Sequence, residues 1–171
     1  MRRKAGIMVE IRRARTGDVR AIRELVDAYT ADRRLLSKAT VTLYEAVQEF
    51  WVAEESEKII GCGALHVMWE DLAEIRTVAV DPASRGRKIG HQLVHRLIEQ
   101  ARELGVARVF CLTFETRFFG SFGFTEIDGA PVPHAVYEQL LRSYDEGVAE
   151  FLDLERVKPN TLGNTRMLLH L

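Results

Sequence analysis

Val78-Ala-Val-Asp-Pro-Ala-Ser-Arg-Gly-Arg-Lys-Ile-Gly-His91 is where a strand hands over to a helix. Val78 to Val80 has strand composition, Asp81-Pro82 ends it, and Ala83 to Lys88 is a loop of small and basic residues. Ile89, Leu93, Val94, Leu97, Ile98, Ala101 and Leu104 then recur at helical spacing, with Gly105 where a C-terminal cap belongs. The first N–H groups of a helix lack internal acceptors and carry the positive end of its dipole, so the junction predicts an anion site, above all for phosphate. Arg85, Arg87 and Lys88 add three cations, and Gly86 and Gly90 permit close backbone approach. The plainer alternative is a solvated loop with surface charges. The P-loop pattern G-x-x-x-x-G-K-S/T and the dinucleotide pattern G-x-G-x-x-G are both absent, which argues against ATP and Rossmann chemistry.

Downstream, Val106 to Leu112 reads as a buried strand, so 75–112 is a strand-loop-helix-strand unit. Upstream, Val9 to Ala14 alternates as a half-buried strand, and Thr16-Gly-Asp18 opens a helix carrying Ile22, Leu25, Val26 and Tyr29. A polar-apolar connector, 33–42, leads to a second helix over Leu43–Gln48. Phe50–Glu54, Ile59–Met68 and Glu74–Val80 follow as strands with turns between them, the pattern of an antiparallel meander. Beyond the central unit come a short helix over Thr116–Phe122, a strand Phe124–Ile127 and a helix His134–Tyr144. The chain then passes through Phe151–Leu154 and a polar loop Lys158–Gly163 to a last strand Met167–Leu171. The expectation is an α/β chain with mixed, mostly antiparallel pairing, organised as one domain over 9–171 behind an N-terminal tail, 1–8.

A chain of 171 residues holds one real core. Its 24 Lys+Arg nearly cancel its 25 Asp+Glu, leaving −1, so no global field points to nucleic acid or a membrane surface. No apolar run approaches the roughly 20 residues that span a bilayer. The basic start at Met1 lacks the apolar stretch of a secretory signal, so a cytoplasmic location is expected. Cys62 and Cys111 cannot make a disulfide framework and read as reduced core residues without a histidine partner. His91 and His95 lie four apart, but Gln92 stands where H-E-x-x-H needs its glutamate, so no metal is expected.

The junction resembles the Q/R-x-x-G-x-G/A signature of the GNAT superfamily of acetyl-CoA-dependent N-acetyltransferases. Arg85 fills the first position and Gly90 the last, while Lys88 stands in place of the middle glycine. Arg12–Val19 resembles the family's opening strand and helix, Ile75–Pro82 the strand before the loop, and Phe118–Phe124 its Gly-Phe ending. The resemblance implies a central mixed sheet, flanked by helices, whose fourth and fifth strands splay apart to admit acetyl-CoA. The cosubstrate would meet the backbone of Val78, Ala79 and Val80 along its pantetheine arm. Its pyrophosphate would meet Arg85, Gly86, Arg87, Lys88, Ile89 and Gly90.

Further stretches resemble the acetyltransferase domain of N-acetylglutamate synthases, in short forms lacking a kinase domain. They are Leu35–Lys38, Phe50–Glu54, Gly61–Leu65, Glu74–Val80, Val109–Thr113 and the Asn160…Arg166 tail. This implies direct acetyl transfer in a ternary complex to the α-amino group of L-glutamate, the opening step of arginine biosynthesis. A dicarboxylate acceptor calls for cations and amide donors, and Lys38, Arg76, Asn160 and Arg166 are the candidates. Arg76 is the odd charge in an apolar strand, and period two puts it on one face with Glu74 and Val78. Glu74 is the candidate base for the ammonium proton, with pairing to Arg76 as the competing role. By family analogy the N–H of Val78 serves the oxyanion. Phe119 replaces the tyrosine acid of many relatives, as in the synthases. Two alternatives stand beside this reading: another amine acceptor (glutamine, a protein N-terminus, a polyamine) or a non-catalytic acetyl-CoA sensor. The partner expected is a small amino acid, with a homodimer left open.

Overall fold

The computed structural model describes residues 7–30, 39–157 and 163–171. The chain divides into two compact units, one of Met1–Leu65 with Thr77–Glu99 and the other of His66–Arg76 with Gln100–Leu171. Among the described residues seven strands follow the hydrogen-bonding order β1-β2-β3-β4-β5-β7-β6. Strands β3 (Lys58–Trp69) and β4 (Leu72–Val80) each contribute to both units.

In the first unit β1 (Glu10–Arg13) pairs antiparallel with β2 (Phe50–Glu55), and β2 with β3. Helix α1 (Val19–Thr30) buries Val19, Ile22, Leu25 and Val26, the stripe its spacing predicts. They pack with Phe50, Val52, Cys62, Ala64 and Ala79, and with Leu43 of α2 (Thr40–Glu45). The second helix thus begins and ends earlier than Leu43–Gln48; a 3₁₀ turn, Val47–Glu49, takes its last residues into β2. Cys62 and Ala64 face the α1 side of β3, whereas Gly61 and Gly63 face Ile89, Leu93 and Leu97 of α3 (Ile89–Glu103). A Cβ on Gly61 would lie 2.9 Å from Leu93 and 3.1 Å from Ile89. The two glycines therefore let α3 sit close against β3. Gly105, at φ +83°, caps α3 as predicted.

In the second unit β4 runs parallel to β5 (Arg108–Thr113), with Leu72, Ala73 and Glu74 opposite Arg108, Val109 and Phe110. Their registered pairing ends there, although both strands continue. Strand β6 (Thr125–Glu126) pairs antiparallel with β7 (Thr165–His170), and β7 with β5. The chain between them forms α4 (Thr116–Gly120), α5 (His134–Leu140) and α6 (Glu146–Phe151). Phe110 and Phe151 meet edge-to-face at 5.4 Å in a core with Leu72, Val148, Leu152 and Leu168.

Two differences from the sequence reading bear on the site. The helix predicted to reach Tyr144 stops at Leu140, and a second helix begins after Asp145, whose side chain caps it by accepting from the N–H of Val148 at 3.0 Å. Within β4, Thr77 adopts φ +57°, a strained conformation for a β-branched residue. Its carbonyl accepts from the Cys62 thiol at 3.5 Å. The alternation that puts Glu74 with Arg76 therefore does not carry on to Val78. A Cβ at Gly63 would meet Val78 at 3.4 Å, and Ala79 joins the α1 core.

Candidate active site

The predicted anion loop lies in the first unit. Asp81 ends β4 and accepts from the N–H of Ala83 at 3.0 Å, shaping the turn Pro82–Ser84. Residues 85–88 are exposed, and α3 starts with the bond from the Gln92 N–H to the Lys88 carbonyl at 3.0 Å. The N–H groups of Ile89, Gly90 and His91 thus precede the helix's own bonding ladder. Gly86, at φ +80°, has nothing within 4 Å of a Cβ position, which leaves the backbone open to an approaching ligand. Lys88 stands at φ +61°, the left-handed conformation that favours glycine. The expected middle glycine of the motif corresponds to this backbone position.

Two of the loop cations, Arg85 and Arg87, have partners. Arg87 forks onto both carboxylate oxygens of Glu55 at the end of β2, one bond at 3.0 Å, and this holds the Glu55 carboxyl below its usual range. Arg85 stacks over the Tyr29 ring at 5.6 Å and donates to its hydroxyl at 3.3 Å. That hydroxyl in turn donates to the Val80 carbonyl at 2.5 Å. Tyr29 so ties the end of β4 to the loop. The same unit has a cavity of about 520 Å³ among Arg12, Asp18, Glu54, Lys58 and Asp81; it includes none of the predicted site residues.

In the second unit Glu74 and Arg76 share a face and pair. Arg76 donates from Nε and Nη2 to Oε2 of Glu74, at 3.0 and 2.6 Å. The other side of the guanidinium forks onto Asp145, Nη1 to Oδ2 at 2.8 Å and Nη2 to Oδ1 at 2.7 Å. His66 Nε2 lies 3.5 Å from Asp145. Side-chain exposure is 8% for Glu74, 14% for Arg76 and 22% for Asp145, so little water screens the cluster. Burial would raise the Asp145 pKa, but the Arg76 hydrogen bonds and charge prevail and hold it at about 2. Gly147 closes against the pair: a Cβ there would lie 1.9 Å from Oε2 of Glu74.

Arg166, on β7, donates from Nε to the Glu150 carbonyl at 2.8 Å and from Nη2 to the carbonyls of Gly129 (2.7 Å) and Phe151. Burial lowers its pKa, against the charges of Asp153, Glu150 and Asp128. Lys38 and Asn160 lie outside the described residues. Both cysteines are buried, and burial pushes the Cys62 thiol up to about 12 and Cys111 well above its usual value, the latter helped by the Glu74 charge. Phe119 is buried edge-to-face between Phe118 and Phe124. Among the described residues no group of three or more His, Cys, Asp or Glu is placed to hold a metal, and no helix is long and apolar enough to cross a membrane. The sequence reading missed Asp145, Gly147 and His66. Asp145-Glu146 is a usable helix-start signal, masked by Gly147 and by a helix of only six residues.

The Acetyltransferase (GNAT) family profile matches residues 19–124. The chain belongs to the GNAT acetyltransferase family. As a GNAT enzyme it is an acetyl-CoA-dependent acetyltransferase. It is 64% identical over 162 residues to the amino-acid acetyltransferase of Mycobacterium tuberculosis, covering 93% of this chain and 92% of that one. The crystal structure of Rv2747 from M. tuberculosis in complex with CoA and NLQ matches at a TM-score of 0.91 and 64% identity, over 95% of this chain and 99% of that one. N-acetylglutamate synthase from Neisseria gonorrhoeae, complexed with coenzyme A and N-acetyl-glutamate, shares the fold at a TM-score of 0.78 and 24% identity; the match covers 96% of this chain but 35% of the synthase. The exposed 85–88 loop and the N–H groups that open α3 fit the pyrophosphate of the GNAT cosubstrate.

Proposed function

We propose that this acetyltransferase acetylates the α-amino group of L-glutamate, as an N-acetylglutamate synthase in the route to arginine. The observation that carries the amino-acid acceptor is the near end-to-end, 64% identity to an amino-acid acetyltransferase. At the site, the support is a buried carboxylate, Glu74, on the strand that leads to the anion loop.

An α-ammonium group has a pKa of about 8 in peptides, so the acceptor arrives mostly protonated at neutral pH. In this reading Glu74 takes that proton, directly or through one water, and frees the nitrogen lone pair for attack. Acetyl-CoA supplies the activated thioester. The N–H of Val78 donates to the acetyl oxygen as negative charge develops on it; the tetrahedral intermediate then collapses, the C–S bond breaks, and CoA leaves as its thiol after taking a proton through water. The backbone of Val78–Val80 lines the pantetheine arm, and 85–90 hold the pyrophosphate through the N–H groups that open α3, with Lys88 adding its ammonium. In this reading Lys38, Asn160 and Arg166 serve the acceptor carboxylates.

Thiol release from acetyl-CoA, measured across the twenty amino acids, a peptide N-terminus and a polyamine, tests the acceptor. The highest kcat/KM is expected for L-glutamate, with N-acetylglutamate as the product by mass. A tenfold preference for any other amine would overturn the glutamate reading, and no turnover with any amine would favour an acetyl-CoA sensor.

A further inference from the structure

We infer that Asp145 is a positioning residue: it anchors one side of Arg76 so that the other side holds the Glu74 carboxylate in place for proton transfer. This rests on the reading of Glu74 as the base. A guanidinium is a rigid planar fork, and a carboxylate on each side fixes its plane and its reach. Asp145 supplies both oxygens to Nη1 and Nη2, while Nε and Nη2 meet Glu74. Asp145 is itself held. Its N–H donates to Ser143 Oγ at 3.1 Å, and its carboxylate caps α6. Gly147, two residues on, leaves the space that Glu74 occupies.

The charge count points the same way. Two carboxylates, Glu74 and Asp145, share the one Arg76 guanidinium, so acidic groups outnumber the cation that pairs with them. Such a site favours an acceptor's ammonium group over its carboxylate. Arg76 therefore acts through Glu74 rather than as an acceptor-carboxylate contact. Among the described residues, the charged and titratable groups that face Glu74 or Asp145 include Arg76 on β4, His66 on β3 and Cys111 on β5. Asp145 stays ionised across the working pH range, which keeps the arrangement intact.

Asp145→Asn tests this in the full enzyme. The amide keeps the size and the oxygen that caps α6 but removes one of the two charges around Arg76. Arg76 then leans on Glu74 alone and lowers its basicity. The expected result is a kcat fall of at least about tenfold and an acidic limb of the kcat–pH profile moved to lower pH, with acceptor KM within about threefold. Asp145→Ser, which also caps a helix, should behave alike, and melting curves confirm that both fold. Glu74→Gln and the double variant are measured in parallel. If Glu74→Gln is slow and Asp145→Asn adds little to it, Asp145 acts through Glu74 and the proposal holds. If Glu74→Gln is slow while Asp145→Asn keeps kcat and profile, Asp145 only caps α6 and the proposal alone fails. A rise in acceptor KM with kcat and profile unmoved would make Arg76 the carboxylate contact, again overturning it. Wild-type kcat in Glu74→Gln would instead remove the base reading, and the positioning role with it.

Discussion

Gly147 lies so close to Glu74 that any side chain at position 147 must displace the carboxylate: a Cβ would come within 1.9 Å of Oε2 and 2.7 Å of Arg76 Nη2. Space, not backbone conformation, demands glycine here, because residue 147 is helical.

Gly147→Ala therefore sets two effects against each other. Alanine favours the helix by about 1 kcal/mol. The methyl also pushes Glu74 and Arg76 out of a buried, hydrogen-bonded arrangement, which costs about 1–3 kcal/mol. The second effect prevails, so the variant should melt lower and lose kcat about tenfold or more. A more stable, fully active Gly147→Ala would contradict the geometry.

Stability should fall in acid partly through Asp145. Its carboxyl is held at about 2 against an ordinary 3.8, so the folded state binds this proton less readily than the unfolded chain. The contribution, about 2 kcal/mol, is complete above about pH 4 and disappears as the pH falls to about 2. Urea unfolding of wild type and Asp145→Asn across pH 2–6 measures it as a gap that closes toward the acid end.

Lys88→Gly relieves a left-handed residue at the head of α3. Relief of about 1–2 kcal/mol, less the entropy glycine loses on folding, should leave a gain of about 0.5–1 kcal/mol. The lost ammonium should weaken acetyl-CoA binding about threefold, the worth of one exposed charge contact. Unfolding curves and calorimetry separate the two effects.

Gly61→Val would push against Leu93 and Ile89, at 2.9 and 3.1 Å from the Cβ position. Overpacking typically costs about 1–3 kcal/mol. Because Ile89 opens α3, acetyl-CoA affinity should fall together with the melting temperature. Destabilisation with unchanged affinity would separate the β3–α3 contact from the loop.

Much of the fold was legible because its signals are local. The α3 stripe, the Gly105 cap, the turn at Asp81-Pro82 and the alternation in β1 each need only neighbouring residues. The loop before α3 and the start of that helix could be read too, since a turn followed by a helical stripe is a property of one short segment. Helix α6 was not, because six residues with a glycine among them carry too little periodicity to stand out. Nor was the turn in β4 at Thr77, whose left-handed backbone no threonine signals from sequence.

The sequence by itself determined that a strand, a basic loop and a long helix follow one another, and that Glu74 and Arg76 share a face. Only the tertiary structure decided what those two charges do. Asp145 comes to Arg76 from 69 residues away, and a contact of that separation has no periodic trace in the chain. The same holds for Arg166, whose three carbonyl partners belong to two distant segments. Local propensity sets which elements form, whereas the placing of a buried charge depends on which other groups packing brings within hydrogen-bond reach.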